Sequence, residues 1–342
     1  MSLSERKKKI LQIVINDYIE TAVPVSSKSI TDKYMKDISS ATVRSELSSL
    51  EELGYLTQLH TSSGRVPSPV AYKLYVSDLM VKEKLSVKEL DYIKKIFLEK
   101  SDNMEEVIKN TAKVISDLTS YTSVGIAAHD KKETIENLKL FRFKNDQALL
   151  LIVTEHRLLK DNYIAVPPSM TDEQLADAEK VLDNMFKNKS FEEICCMKPE
   201  LDNNFLGYKN IFLNVIEALK VYVSNDEDNV VMSGADKILD HPEYTDIDKI
   251  KNFLNVVTSK DKVYNLLSGD GKDIKINVKI GSEGYSDIPE DCSVVTATYS
   301  ANGTPIGTYG VIGPIRMDYQ KVVAVLENVG KILESILTNT NK

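Results

Sequence analysis

The fold of the N-terminal part of the chain is decided by residues 39–67, SSATVRSELSSLEELGYLTQLHTSSGRVP. Ser39 and Ser40 are typical of a helix start, because a serine hydroxyl accepts a hydrogen bond from a free backbone N–H of the first turn. The apolar residues that follow recur at three- and four-residue spacing, which is the spacing of one helix face. Gly54 is a suitable helix end. The sequence therefore predicts a helix over about 40–53.

A hairpin follows this helix. Residues 55–60 form a predicted strand, residues 61–65 a polar turn, and the short return ends at Pro67. Upstream, Ser4 is predicted to cap a first helix with one apolar face, and Ser26 or Ser27 a short second helix that turns Ile30 and Tyr34 inward. Three helices and a two-stranded hairpin are the elements of a winged helix-turn-helix, which we assign to residues 1–80.

The third helix has an outer face suited to DNA. At 100° per residue from Val43, the residues facing away are small or hydroxylated, apart from one arginine. Small side chains permit close approach to a major groove, and arginine recognises guanine or phosphate. Free N–H groups at the helix start favour a phosphate, and an arginine at the hairpin tip suits the DNA backbone or minor groove. The candidate DNA-binding residues are Ser39, Ser40, Ala41, Thr42, Arg44, Ser45, Ser48, His60, Thr61, Ser62, Ser63, Gly64 and Arg65.

Each of these signals has a structural alternative. Serines at a helix start are commonly caps, and Arg44 has a possible surface partner in Glu51. The lysine run at 7–9 is typical of a solvated helix face, and His60 alone indicates little. The order of the signals within 65 residues is what favours DNA binding.

The charge distribution is compatible with DNA binding at one end. The whole chain of 342 residues carries a net charge of −8. Residues 1–80 contain ten Lys/Arg and nine Asp/Glu, a net of +1, which leaves −9 for the remainder. A near-neutral N-terminal unit on an acidic body fits a protein that contacts DNA only through that unit.

The rest of the chain predicts an α+β multidomain protein. A helical linker at 81–113 leads to strands before residue 169, helices over about 171–223, strands after 274 and a final helix. We interpret 114–169 and 231–342 as one α/β domain with an antiparallel sheet, and 170–230 as a mainly helical insertion.

Several classes of function are disfavoured. No apolar stretch is long enough to span a bilayer, and the polar N-terminus is unlike a signal peptide, so we expect a cytoplasmic protein. The three cysteines form no CxxC pair and indicate reduced thiols. Zinc-protease, phosphate-loop and serine-hydrolase motifs are missing from the sequence, so we predict no enzyme activity, no cofactor and no metal.

Five segments carry a family resemblance: DYIETAVPV at 17–25, SSATVR at 39–44, LEELGYL at 50–56, HTSSGRVP at 60–67 and GVIGPIRMDY at 310–319. On these segments the chain resembles the HrcA family of heat-inducible transcription repressors. The resemblance implies a homodimer that binds the CIRCE inverted repeat upstream of groE and dnaK type operons. It also implies a GAF-like second domain, a dimerisation role for the insertion, and the GroEL chaperonin as a partner that keeps the repressor active.

Two other functions stay open at this point. In the first, the protein is a metabolite sensor whose GAF-like domain gates DNA binding for another regulon. In the second, the winged helix binds a protein instead of DNA. Near the C-terminus, Arg316 and Asp318 either frame an anion site at a helix start or fix the last helix against the sheet. We favour the structural interpretation of that pair.

Overall fold

The computed structural model describes residues 3–58, 64–98, 104–127, 134–154, 158–197, 208–224, 230–267, 276–281, 289, 291–301 and 304–340. No helix in these ranges is both long and apolar enough to cross a membrane.

The N-terminal unit consists of three helices and a short ribbon. The helices are α1 (Glu5–Thr21), α2 (Ser27–Lys33) and α3 (Ser40–Glu52), and the antiparallel ribbon strands are β1 (Leu56–Thr57) and β2 (Val66–Pro67). Each helix is preceded by a serine whose Oγ accepts a hydrogen bond from a backbone N–H three residues later. These caps are Ser4, Ser26 and Ser39.

A buried carboxylate joins the first two helices. Asp17 of α1 accepts a hydrogen bond from the Tyr34 hydroxyl at 2.7 Å and from Lys33 Nζ at 3.2 Å. The hydrogen bond to Asp17 raises the pKa of Tyr34 to about 12. Tyr34 is not turned into the core as predicted. Its side chain is exposed, and its hydroxyl is engaged by Asp17 of α1.

Several helical pieces follow the ribbon, and only the later ones lie in the predicted linker at 81–113. Helix α4 (Pro69–Leu74) continues into a π-helical turn (Tyr75–Leu79), and extended backbone at Met80 ends it. Helix α5 (Val87–Leu98) packs on neighbouring helices, whereas α6 (Met104–Thr119) packs on a sheet of the body. The predicted linker range of 81–113 therefore includes the first part of α6, a helix that belongs to the body.

Strand β3 (Thr122–Ala127) leads into a unit with its own sheet and core. The sheet has the order β4-β5-β6, and helices α7 to α9 pack against one of its faces. Carboxylates of α7 cover the free edge of β4, because Asp183 and Glu179 accept the backbone N–H groups of Leu138 and Leu140. The elements are β4 (Ile135–Lys144), β5 (Gln147–Thr154), β6 (Leu158–Ala165), α7 (Asp172–Phe186), α8 (Phe191–Cys196) and α9 (Lys209–Ser224).

The body is a five-stranded antiparallel sheet of order β7-β3-β10-β9-β8. Helices α6 and α12 cover one face, and α10 and α11 cover the other. The remaining elements are β7 (Val230–Ser233), α10 (Ile247–Val257), α11 (Lys260–Leu267), β8 (Ile276–Ile280), β9 (Cys292–Ala301), β10 (Thr304–Pro314) and α12 (Tyr319–Thr340).

The predicted domain boundaries need correction. The strands before residue 169 were assigned to the same sheet as the C-terminal strands, but β4 to β6 form a separate sheet. The unit inserted between the neighbouring strands β3 and β7 therefore runs from about 135 to 224 and is not mainly helical. Alternating apolar residues identify a strand but do not determine its partner, which is why the sequence placed this boundary too late.

Candidate nucleic-acid interface

Helix α3 presents its predicted outer face to solvent. Ala41, Arg44 and Ser45 are exposed and Ser48 is partly exposed. On the opposite side, the predicted inner face is buried against α1 and the ribbon at Val43, Leu47 and Leu50. The outer face combines short side chains with one long cation.

The guanidinium of Arg44 is free within the described ranges, where neither an ion pair nor a hydrogen bond joins it to another side chain. Its anticipated partner Glu51 is already occupied, because Glu51 Oε2 lies 2.8 Å from Arg65 Nε. An unpaired guanidinium keeps all five of its N–H donors for a ligand.

The hydroxyls at the start of α3 have roles inside the protein. Ser39 Oγ accepts the Thr42 backbone N–H at 3.1 Å and lies 2.9 Å from Thr42 Oγ1. Ser40 Oγ lies 3.1 Å from Ser27 Oγ and so links α3 to α2. These hydroxyls therefore cap and fasten the helix. The first N–H groups of a helix have no partner within the helix, so those of Ser40 and Ala41 are the candidates for an anion.

Charged side chains of α1 contact α3. Lys7 Nζ donates a hydrogen bond to Ser49 Oγ at 2.6 Å, and Arg6 lies 3.7 Å from Glu46. Lys8 is paired with Glu5 on its own helix. The lysine run is thus partly engaged within the protein, which sequence inspection did not reveal.

The ribbon is fixed to the segment between α1 and α2. Val25 and Arg65 exchange two backbone hydrogen bonds of 2.9 and 2.8 Å. The Arg65 side chain is only 17% exposed and forms its ion pair with Glu51 in the last turn of α3. Arg65 therefore connects the ribbon to α3, a contact between residues 14 positions apart that the sequence analysis missed. The predicted tip residues His60, Thr61, Ser62 and Ser63 lie outside the described residues.

Gly64 is required for close packing rather than for a turn. Its φ lies outside the positive range, but a Cβ at this position would be 2.6 Å from the carbonyl oxygens of Pro24 and Val25. Backbone atoms cannot move aside without breaking the bridge between Val25 and Arg65. The close approach of two backbone segments therefore explains why position 64 is a glycine.

Replacing Gly64 by alanine is expected to lower the free energy of unfolding by about 1–3 kcal/mol, because the added methyl overpacks against backbone. Urea unfolding followed by circular dichroism measures this change. Gly54→Asn is the control, since Gly54 has φ +79° with nothing within 4 Å of its Cβ position, and asparagine tolerates that conformation. Equal stability of the Gly64→Ala variant and the wild type would contradict the close-approach explanation.

The second candidate site, at residues 310–319, has its charged groups engaged inside the protein. Asp318 Oδ1 accepts the Lys321 backbone N–H at 3.1 Å and so caps α12. Arg316 forms an ion pair with Glu243. This geometry agrees with a structural role and gives an anion no free cation there.

Comparisons with known proteins agree over the whole chain. A family model described as HrcA protein C terminal domain matches residues 105–323. The heat-inducible transcription repressor HrcA of Clostridium tetani is 36% identical over 346 residues, covering 100% of this chain and 97% of that protein. The repressor of the same name from Carboxydothermus hydrogenoformans is 35% identical over 341 residues, covering 99% of each.

One solved structure has a similar fold. It is described as the crystal structure of a hypothetical protein at 2.2 Å resolution, and it has a TM-score of 0.62 at 22% identity, covering 99% of this chain and 100% of that one. At that identity the likeness supports the fold alone.

The α+β fold and the full-length relatives define the class of this protein as a multidomain transcription repressor, which is not a class of enzyme. Within that class, the chain belongs to the HrcA family of heat-inducible transcription repressors.

Proposed function

We propose that this cytoplasmic repressor binds the CIRCE inverted repeat of groE and dnaK type operons as a homodimer, through an N-terminal winged helix-turn-helix. The observation that carries the proposal is the outer face of α3, where Arg44 has no side-chain partner among the described residues and is surrounded by short side chains. In such motifs the second helix of the turn enters the major groove and contacts base edges. The ribbon of β1 and β2 beside α3 is the proposed wing.

The assigned roles follow the geometry. Arg44 is the proposed base-reading residue, Ala41 permits close approach, and Ser45 and Ser48 also supply hydroxyls. The first turn of α3, around Ser40, is proposed to hold a phosphate. Arg65 remains a proposed contact at the edge of the ribbon, although its main observed partner is Glu51.

The outer face of the inserted sheet supports a homodimer. Phe141, Phe143 and Tyr163 are 54%, 55% and 51% exposed on that face, and the rings of Phe143 and Tyr163 lie 4.9 Å apart. Leu149 pairs with both Phe141 and Tyr163 across the strands, which makes the patch continuous. Clustered exposed aromatic residues mark interaction surfaces. We propose that a second copy of the chain covers this face.

Two-fold symmetry connects the dimer to its operator. An isologous interface places the two α3 helices as symmetric partners, and an inverted repeat presents the same half-site twice.

The body of the chain, with a five-stranded sheet between two pairs of helices, is proposed to be the GAF-like domain. GroEL is the proposed partner that maintains the active form. Because the repressor is proposed to be of marginal stability, it becomes inactive on heating when that support is lost.

A gel-shift titration with the inverted repeat tests this function. We expect binding without any added metabolite, and an affinity that falls steeply with salt because phosphate contacts release counterions. Unrelated duplex DNA of the same length is the control. Binding that requires a metabolite would favour the sensor function, and failure to bind in all conditions would favour a protein ligand for the winged helix.

A further inference from the structure

The C-terminal end of α1 receives its cation from another part of the chain. The last turn of α1 contains no basic residue and does contain Glu20, although a helix C-terminus favours positive charge. Arg316 supplies that charge, because its Nη1 donates a hydrogen bond of 2.8 Å to the Ile19 carbonyl oxygen. Arg316 follows β10 in the body, 297 positions away along the chain.

The same guanidinium is held by a carboxylate of the body. Arg316 Nε donates to Glu243 Oε1, and Nη2 donates to Glu243 Oε2 at 3.2 Å. Glu243 lies in a 3₁₀ turn (Pro242–Tyr244) before α10. The Arg316 side chain is 12% exposed, so this bidentate pair is largely shielded from water. The fixed fork leaves Nη1 directed at α1.

The segment that carries Arg316 is rigidly attached to the body. The Tyr319 hydroxyl donates a hydrogen bond of 2.7 Å to the Ile315 carbonyl oxygen, and it lies 2.8 Å from Ser293 Oγ, whose hydroxyl can donate to it. The Asp318 backbone N–H donates to the Tyr121 hydroxyl at 3.0 Å, and Tyr121 stacks on His241 at 5.0 Å. A movement of α1 relative to this segment would break the bond from Arg316 to Ile19.

We infer that Arg316 is a positioning residue that sets the angle of the winged helix relative to the body, and so the separation of the two α3 helices in the dimer. This inference rests on the proposed operator binding. The apolar contact of the two units, which includes Tyr72 and Tyr319 at 5.9 Å between ring centroids, holds them together but is weakly directional. The charged contact is directional and fixes the orientation.

The test compares Arg316→Gln with the wild type on three DNA duplexes: the inverted repeat, the repeat with its spacer lengthened by about five base pairs, and a single half-site. Five base pairs turn the second half-site by about half a helical turn. Wild type is expected to lose most of its affinity on the lengthened repeat. We expect the variant to bind the native repeat about tenfold more weakly and to discriminate less between the two spacer lengths. A winged helix that is held less firmly on the body lowers the effective concentration for binding the second half-site. Binding to the single half-site should change by less than about twofold, which is within about 0.4 kcal/mol.

Arg142→Gln is the matched control. Arg142 pairs with Asp172 and donates to the Met170 carbonyl at 2.7 Å, so it makes the same kinds of contact entirely within the inserted unit. It should keep the wild-type spacer preference. Glu243→Gln removes the carboxylate that orients Arg316, so it should also weaken the preference for the native spacer. If Arg316→Gln does not fold, the Glu243→Gln variant tests the inference.

Unchanged spacer discrimination in folded Arg316→Gln and Glu243→Gln dimers would overturn the inference, and so would tighter binding of the native repeat. Failure of the proposed function looks different, because wild type itself would then show no preference for the repeat over a single half-site.

Discussion

Replacing Arg44 by alanine is expected to weaken binding to the operator by about tenfold to a hundredfold, because a bidentate arginine–guanine contact contributes ~1–3 kcal/mol of discrimination. The same change should leave the free energy of unfolding nearly unchanged, since the exposed Arg44 side chain contacts no partner in the described ranges. Fluorescence anisotropy with the inverted repeat and with a base-substituted repeat measures both affinity and discrimination.

Two variants separate base reading from simple charge. Arg44→Lys keeps the charge but loses the planar fork, so it should retain non-specific affinity and lose discrimination. Lys331→Ala removes one positive charge from an exposed position on α12 and should behave like wild type. If Arg44→Ala binds the repeat as tightly as Lys331→Ala does, Arg44 does not contact the operator.

A double replacement, Phe141→Asp with Phe143→Asp, is expected to convert the proposed dimer to monomers. Both rings are more than half exposed on the outer face of the inserted sheet, so the change should spare the fold while placing two carboxylates in an apolar interface. Monomers lose the gain from binding two half-sites together, which reaches ~10²–10⁴-fold. We therefore expect operator affinity to fall by about a hundredfold or more.

Sedimentation velocity measures the oligomeric state, and anisotropy measures operator affinity. Val87→Asp is the matched control, because Val87 is an isolated apolar residue, 74% exposed, at the start of α5 outside the inserted unit. That variant should remain dimeric and bind normally. A Phe141→Asp, Phe143→Asp protein that stays dimeric would show that the partner copy docks elsewhere.

Local features were well predicted from the sequence. The caps at Ser4 and Ser39 and the inner face of α3 depend on interactions within one or two helical turns, so neighbouring residues determine them. The face that Ala41, Arg44 and Ser45 present to solvent follows directly from that periodicity. Recognition of the family also came from short segments, and the full-length relatives confirm it.

Features that depend on pairing across the chain were predicted poorly. Strands β4 to β6 were recognised as strands but assigned to the wrong sheet, because their partners are chosen by the core that they share with α7 to α9. Glu51 was considered as a partner for Arg44, whereas Arg65 approaches it in the folded chain.

The amino-acid sequence by itself determined the caps at Ser4 and Ser39, the outward face of α3 and the family. Only the tertiary structure decided where the inserted unit begins, why Gly64 has no side chain, and which cation meets the end of α1. The reason is physical: capping and periodicity act over a few residues, whereas close backbone approach and the contact from Arg316 to Ile19 join positions that only folding brings together.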